Sequence, residues 1–263
     1  MKPQNVTLIY FSPTENTKKI VEAIGAGAGL VSKAYDLTLP QNRDFTLEFG
    51  SEDLVVFGVP VYAGRIPELM AEWMVRLKGN GTPVIMAVVY GNRDYEDALI
   101  ELRDLLTSRG FLGLSGAAFV GEHSYTTRVA SGRPDENDLA VAEAFGAKSA
   151  ELAVAAVKDA DYVTVSGNTP YKPRGVMPPM APVTTDACIR CGICAAFCPT
   201  AAIDSTDFSK IEAEKCIRCC SCIRRCPTEA KSFQHESVLQ IKNRLIENFA
   251  DVRKTVECFY IKR

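Results

Sequence analysis

Histidine is nearly absent from this chain: two in 263 residues, His123 and His235. No Ser/His/Asp or Cys/His constellation for nucleophilic catalysis assembles from so few. Acidic pairs such as Glu101 with Asp104 lie on a predicted helix and read as a solvated face. No apolar run approaches the roughly 20 residues that a membrane span needs. Met1 to Phe11 carries one lysine and an apolar stretch too short for a secretory leader. Neither sign of charge prevails. The formal net charge of −2 gives no reason to expect nucleic acid or an anionic membrane surface as a partner. A dinucleotide fingerprint is missing too. Gly25-Ala-Gly-Ala-Gly29 follows a predicted helix rather than a strand, and Leu30 stands where a glycine is needed, so the run reads as a helix C-cap. With so little acid–base equipment, redox chemistry would fall to bound cofactors.

What the chain has in quantity is cysteine. Eight of its ten cysteines fall into two runs of Cys-x2-Cys-x2-Cys-x3-Cys-Pro: Cys188, Cys191, Cys194 and Cys198 before Pro199, and Cys216, Cys219, Cys222 and Cys226 before Pro227. A shift of 28 positions (216 − 188) superimposes all four pairs, and both copies begin Cys-Ile-Arg-Cys. This spacing wraps a loop around a 4Fe–4S cube, three cysteines holding one cluster and the fourth crossing to the other. The assignment is Cys188, Cys191, Cys194 and Cys226 for one cluster, and Cys216, Cys219, Cys222 and Cys198 for the second. Zinc is the rival metal, but its sites typically pair two Cys-x2-Cys units across a longer stretch, without the third cysteine and the Cys-Pro. Disulfides fit poorly in a chain without an export signal. Cys220, between two ligands, is expected to point away from the cube, and Cys258 to be a packed thiol. The segment resembles bacterial two-cluster ferredoxins. Residues 185–233 carry seven basic and six acidic side chains, a surface suited to docking an acidic redox partner or to tuning the clusters upward, although solvated charges are the default reading.

Upstream, strand-like and helix-like segments alternate. Strands are expected at Val6–Phe11, Val31–Asp36, Leu54–Val59, Val84–Tyr90 and Leu114–Val120. Helices are expected at Lys18–Ala28, Glu68–Leu77, Tyr95–Arg109 and Asp138–Val157. Strict alternation implies an α/β domain whose parallel sheet is covered on both faces. Ligands of such sheets sit beyond the carboxyl ends of the strands. Ser12-Pro-Thr-Glu-Asn-Thr17 either cradles a phosphate monoester or is an ordinary helix cap. Two more loops, Gly58 to Gly64 (with Pro60, Val61, Tyr62 and Ala63) and Tyr90 to Tyr95 (with Gly91, Asn92 and Arg93), offer aromatic and backbone groups for a flat ring. Gly121 to Thr126 is a further candidate, in which His123 is either a loop histidine or a proton donor.

Residues 1 to about 160 resemble flavodoxin. The phosphate loop is similar to Ser/Thr-x-Thr-Gly-x-Thr at Ser12, Thr14, Asn16 and Thr17. It departs at Glu15, where a carboxylate repels a phosphate unless it turns outward. The resemblance implies a doubly wound five-stranded parallel sheet of order 2-1-3-4-5, FMN phosphate on Ser12–Thr17, and the flavin between the Tyr62 and Tyr90–Tyr95 loops. The whole chain resembles flavodoxin–ferredoxin fusion proteins, which implies electron transfer. The expected organisation is a flavodoxin-like domain (1–165), a stiff Pro-rich linker (166–184), a small α+β ferredoxin domain (185–233) and a long amphipathic C-terminal helix (234–263). Val238, Ile241, Leu245, Phe249, Val252, Val256 and Phe259 form the stripe of that helix, which packs within the chain or seals a homodimer. Two functions follow: an electron carrier between redox partner proteins, or a flavin-dependent reductase of a small substrate fed through the clusters. A reducing cytoplasm, in an anaerobic setting, is the expected location.

Overall fold

The computed structural model describes residues 5–29, 31–154, 162–175 and 178–262. Five parallel strands, β1 (Asn5–Tyr10), β2 (Val31–Asp36), β3 (Asp53–Pro60), β4 (Thr82–Tyr90) and β5 (Phe111–Val120), lie in the order 2-1-3-4-5. Their apolar runs do not alternate with polar residues because both faces are covered. Ile9, Phe57, Met86 and Val88 point to one face, where α2 (Glu68–Trp73) and α3 (Ala98–Ser108) pack with Met70, Trp73, Leu99 and Leu102. Leu8, Val56, Ile85 and Ala87 point to the other, where α1 (Asn16–Ala28) and α4 (Glu136–Val154) contribute Ile20, Ile24 and Phe145. All nine residues of central β4 are buried.

The glycine run serves packing as well as capping. Gly29 (φ 135°) ends α1, its N–H bonding to the Gly25 carbonyl. A Cβ at Gly27 would stand 1.9 Å from the Glu143 carbonyl oxygen, and one at Gly146 would stand 2.0 Å from that of Ile24. Thus α1 and α4 touch backbone to backbone. The last residues of the helix expected at 138–157 lie outside the described residues.

Three expectations need correction. First, the described start of the expected linker (166–184), residues 166–175, is fastened to α3 and its N-terminus. Val163 and Val165 are buried on the sheet, Tyr171 Oη donates to Asp104 at 2.6 Å, and the backbone amides of Asn168 and Lys172 donate to the Asp97 carboxylate at 2.8 and 2.6 Å. Second, Glu101 is not solvated. It is buried, and its carboxylate binds Arg65 at 2.7 Å and Arg174 at 2.8 Å, drawing residues 162–175 along α3. Third, the C-terminal helix α7 (Glu236–Phe249) stops ten residues before Phe259 (259 − 249). Asn92 Nδ2 donates to the carbonyls of Phe249 (3.3 Å) and Val252 (2.7 Å), occupying acceptors at the helix end. The chain then adds a strand, Glu257–Tyr260, antiparallel to β5, so the sheet has six strands rather than five. The free edge of β5 offers unpaired backbone groups, and pairing them outweighs a helical periodicity. The apolar face of α7 meets its own chain through Val238 and Leu245.

The cysteine-rich part forms a smaller unit. β6 (Val183–Thr184) pairs antiparallel with β7 (Lys231–Ser232), and each cysteine run closes on a one-turn helix, α5 (Ile193–Ala196) and α6 (Ser221–Arg224). The final strand, Glu257–Tyr260, is β8. Among the described residues no helix is long and apolar enough to cross a membrane.

Candidate functional site

The two cysteine runs wrap in the same way. Arg190 and Arg218 (φ 57° and 56°), and then Gly192 and Cys220 (φ 78° and 64°), hold left-handed turns at equivalent positions of the repeat. The eight sulfurs divide between two small cavities. One is lined by Cys188, Cys191, Cys194 and Cys226, the other by Cys198, Cys216, Cys219 and Cys222 together with Cys220, a fifth cysteine outside the repeat spacing. Cys226 therefore stands with the first run and Cys198 with the second. Both crossing sulfurs accept backbone N–H groups, Cys198 from Ala202 at 3.3 Å and Cys226 from Ala230 at 3.2 Å. Among the described residues no three His, Cys, Asp or Glu side chains converge on a single ion. Four sulfurs around a cavity suit a cube. Lys231 is buried beside both sets, its ammonium donating to Thr184 Oγ1 and the Phe208 carbonyl at 2.7 Å. Cys220 packs with Met180, Phe233 and Val238. Cys258, on β8, packs against the sheet.

A larger cavity of about 360 Å³ opens at the carboxyl ends of the strands, a size within the ordinary range for cofactor sites. Of the candidate residues, Thr14, Asn16, Thr17, Pro60, Val61, Tyr62, Ala63, Tyr90, Gly91 and Arg93 line it. Five do not. Ser12 braces the loop instead, its N–H donating to Thr38 Oγ1 and its Oγ accepting from Lys18 N–H, both at 2.9 Å. Gly64 (φ 83°) makes room for Glu96, whose carboxylate oxygen would stand 1.8 Å from a Cβ there. Asn92 caps α7, as described. Tyr95 lies behind Tyr90, ring centroids 5.5 Å apart, and donates its hydroxyl to Glu257 at 2.7 Å. Glu15 is turned away: its Oε1 meets Arg225 at 2.8 Å, and that hydrogen bond holds its carboxyl below the usual range. Its φ of 68° is the left-handed conformation for which glycine is the easier residue.

The lining fits a flat ring system bearing one phosphate. The first amides of α1, Asn16 and Thr17, and the Thr14 and Thr17 hydroxyls are donors suited to a phosphate. Pro60, Val61, Tyr62, Tyr90 and Tyr125 supply apolar and aromatic walls; Arg218, Arg93 and Lys172 also line it, the last two ion-paired with Glu96 at 2.7 and 2.6 Å. The loop after β5 contributes Gly121 to Tyr125, as its position in the fold predicts. Ile217, Arg218 and Cys219 had no signal in sequence, because nothing there brings the second cysteine run against strand ends more than 90 residues earlier. Ile241 and Leu245 of α7 complete the lining.

His123 is fixed in one state. Its Nδ1 accepts the Tyr125 N–H at 3.1 Å, leaving Nε2 as the protonated nitrogen. Burial, with Arg224 and Arg93 nearby, depresses its pKa to about 4. In the unfolded chain it titrates near 6.5, so below that pH the unfolded state binds a proton that the folded state refuses. The stability His123 contributes is complete above pH 6.5 and is lost as pH falls toward 4. Melting midpoints of the parent should therefore drop more steeply between pH 7 and 4.5 than those of His123→Gln. Parallel curves would show that His123 is not held neutral.

The cavities share a wall. Cys219 lines both the large cavity and the second cysteine cavity. Tyr62, in the large cavity, lies close enough to Cys219 and Cys220 that they add to the effect of burial in raising its pKa well above the ordinary value. Across the same junction Arg224 binds the Ser124 and His123 carbonyls and the Glu122 carboxylate.

Residues 182–227 match the family model of a 4Fe-4S dicluster domain. No curated protein matches the chain. Among solved structures, the chain is similar to a flavodoxin from the domain Archaea (15% identity, 57% of this chain and 99% of that one, TM-score 0.39) and to flavodoxin 2 from Bacillus cereus (15%, 56% and 98%, TM-score 0.40). It is also similar to the Flv1 flavodiiron core from Synechocystis sp. PCC6803 (18% identity, 59% of this chain, TM-score 0.43), of which it spans 37%. The fold assignment rests on the strand order itself, which is that of a flavodoxin-like sheet.

Proposed function

We propose that this chain is an electron-transfer protein that holds FMN in the large cavity and two 4Fe–4S clusters in the cysteine cavities, serving redox partner proteins of a reducing cytoplasm. The observation that carries this reading is the wall shared through Cys219. Bound FMN would accept or give one or two electrons and each cluster one, so the assembly would interconvert two-electron and one-electron carriers. The residues set the order of the sites. Ile217 to Cys219 and Tyr62 separate the large cavity from the second cysteine set by a single layer of protein. The exchange of Cys198 and Cys226 keeps the two cysteine sets adjacent, and Cys191 of the first set is exposed, giving that end access to a partner. Thr14, Asn16 and Thr17 would hold the phosphate. Arg218, and the net positive charge of Arg93 and Lys172 paired with Glu96, would stabilise negative charge on a reduced ring, and Lys231 would offset charge on the clusters.

Chain purified without oxygen should contain about eight irons and eight acid-labile sulfides and release FMN, not FAD, on denaturation. Two zincs without sulfide, or FAD, would overturn the assignment. A second reading, a flavin-dependent reductase, is favoured by His123 and Tyr125, whose polar groups line the cavity under α7. Turnover of small acceptors by the isolated protein, lost in a His123→Phe variant that keeps its FMN, would support it. No homodimer is needed to bring the cavities together, since one chain supplies all three.

A further inference from the structure

In this chain the cavity at the strand ends is not finished by the flavodoxin-like part alone. Two consecutive side chains of the second cysteine loop hold the loops that build it. Arg224 Nε donates to the Ser124 carbonyl at 3.2 Å, Nη1 to Glu122 Oε1 at 2.7 Å, and Nη2 to the His123 carbonyl. Arg225 Nη2 donates to Glu15 Oε1 at 2.8 Å, with its guanidinium 4.3 Å from the Phe197 ring centroid. The segments so held are the phosphate loop and the loop after β5, which are themselves tied by Asn16 Nδ2 donating to the Glu122 carbonyl at 3.1 Å. Arg225 also neutralises the one carboxylate that stands in the phosphate loop.

The arginines have little means of holding their own position. The helix carrying Arg224, α6, is four residues long, far below the length at which a helix sustains itself. It opens on Cys220 in a left-handed conformation (φ 64°) that is unfavourable for a residue with a Cβ. Cysteines surround it in sequence: Cys216 and Cys219 before it and Cys222 within it from one cavity, and Cys226 after it from the other. Ligation of a cluster at the second set is therefore what shapes this loop, as metal binding generally shapes small cysteine-rich segments.

We propose that the second iron–sulfur cluster is a structural component of the flavin site: once assembled, it sets Arg224 and Arg225, which fix the two flavin-binding loops, so that cluster assembly strengthens FMN binding. Linkage makes the effect reciprocal, and bound FMN protects that cluster by the same factor. The proposal rests on the reading of the cavity as an FMN site. It assigns Arg224 and Arg225 as positioning residues, neither needing to touch the flavin.

The test uses the full chain under anaerobic conditions, freed of flavin and titrated with FMN while flavin fluorescence is followed. Three forms are compared: the parent with both clusters, the parent stripped of iron by a chelator, and Arg224→Ala/Arg225→Ala with its clusters in place. The stripped parent and the double variant should each bind FMN about ten-fold or more weakly, within the usual 5–150-fold range of coupling. Stripping the double variant should add little. In the parent, FMN should slow the chelation of half the iron. A stripped parent that binds FMN within about two-fold of the loaded one overturns the proposal, as does a double variant that keeps its iron and binds like the parent. Should that variant lose iron, Glu15→Gln/Glu122→Gln, which leaves the cysteine part unaltered, must reproduce the weakening, and parental affinity there overturns the proposal. If no form binds FMN, the flavin reading has failed, and the coupling falls with it. If only the parent's affinity is indifferent to iron, the flavin reading stands and the coupling alone is refuted.

Discussion

Cys198→Ser should halve the iron content and abolish rapid reduction of the flavin by reduced clusters, whereas Cys226→Ser should cost the other half of the iron and leave flavin reduction in place. The contrast follows from the crossed sulfurs. Cys198 belongs to the cavity that shares Cys219 with the large cavity, and Cys226 to the other cysteine cavity. Each is the ligand farthest in sequence from the other three of its set, so local loop geometry alone would give the opposite assignment. Cys220→Ser is the control. Its side chain lies among Met180, Phe233 and Val238, and both clusters should remain. Iron and sulfide analysis measures the first effect, and stopped-flow absorbance the second, with a rate that falls by orders of magnitude in Cys198→Ser and does not change on dilution in the parent. A parent rate proportional to protein concentration would mean that transfer runs between molecules, and the shared wall would lose its role. Iron loss in Cys220→Ser would show that the second run uses a different set of sulfurs.

Removing residues 253–263 should destabilise the flavodoxin-like domain by about 3–5 kcal/mol, an order of magnitude built from several hydrogen bonds of about 1 kcal/mol each and the lost burial of Cys258, Phe259 and Tyr260. In melting temperature this is on the order of 10 °C. Four residue pairs of β8 with β5 disappear, and β5 becomes an open edge. The partners of Tyr95 (Glu257) and Arg93 (Lys254 Nζ on its carbonyl, 2.5 Å) disappear with them. The Tyr90–Tyr95 loop, which lines the large cavity through Tyr90, Gly91 and Arg93, then loses its outer support, so under the proposed function FMN should bind more weakly as well. Differential scanning calorimetry and light scattering test this together: a lower midpoint with concentration-dependent association is expected. An unchanged midpoint would mean that β8 is an accessory. Asn92→Ala should show a milder form of the same defect, since it loses only the contacts to Phe249, Val252 and Lys254.

Local patterns in the sequence determined where the cysteine sites lie. Four sulfurs at fixed spacing, repeated after 28 positions, need no tertiary information to be read as cluster ligands, because the loop that wraps a cube is itself local. The parallel sheet was equally legible, since β1 to β5 are apolar runs separated by helices of ordinary length. What the tertiary structure decided lies wherever one periodicity serves two environments. Val252, Val256 and Phe259 continue the helical spacing of α7, but the cap from Asn92 meets the helix end and the open edge of β5 takes Glu257–Tyr260 as a strand. Glu101 resembles a surface acid until Arg65 and Arg174 close on it. Glu15 looks incompatible with a phosphate until Arg225, 210 residues away, takes up its charge. Tyr95 and Asn92 sit in the right loop for a flavin but face the C-terminal segment. Loop residues are recognised by their neighbours in sequence, whereas a cavity is built from neighbours in space. The contacts that place Cys219 beside Tyr62 are long-range, and no short stretch of the chain encodes them.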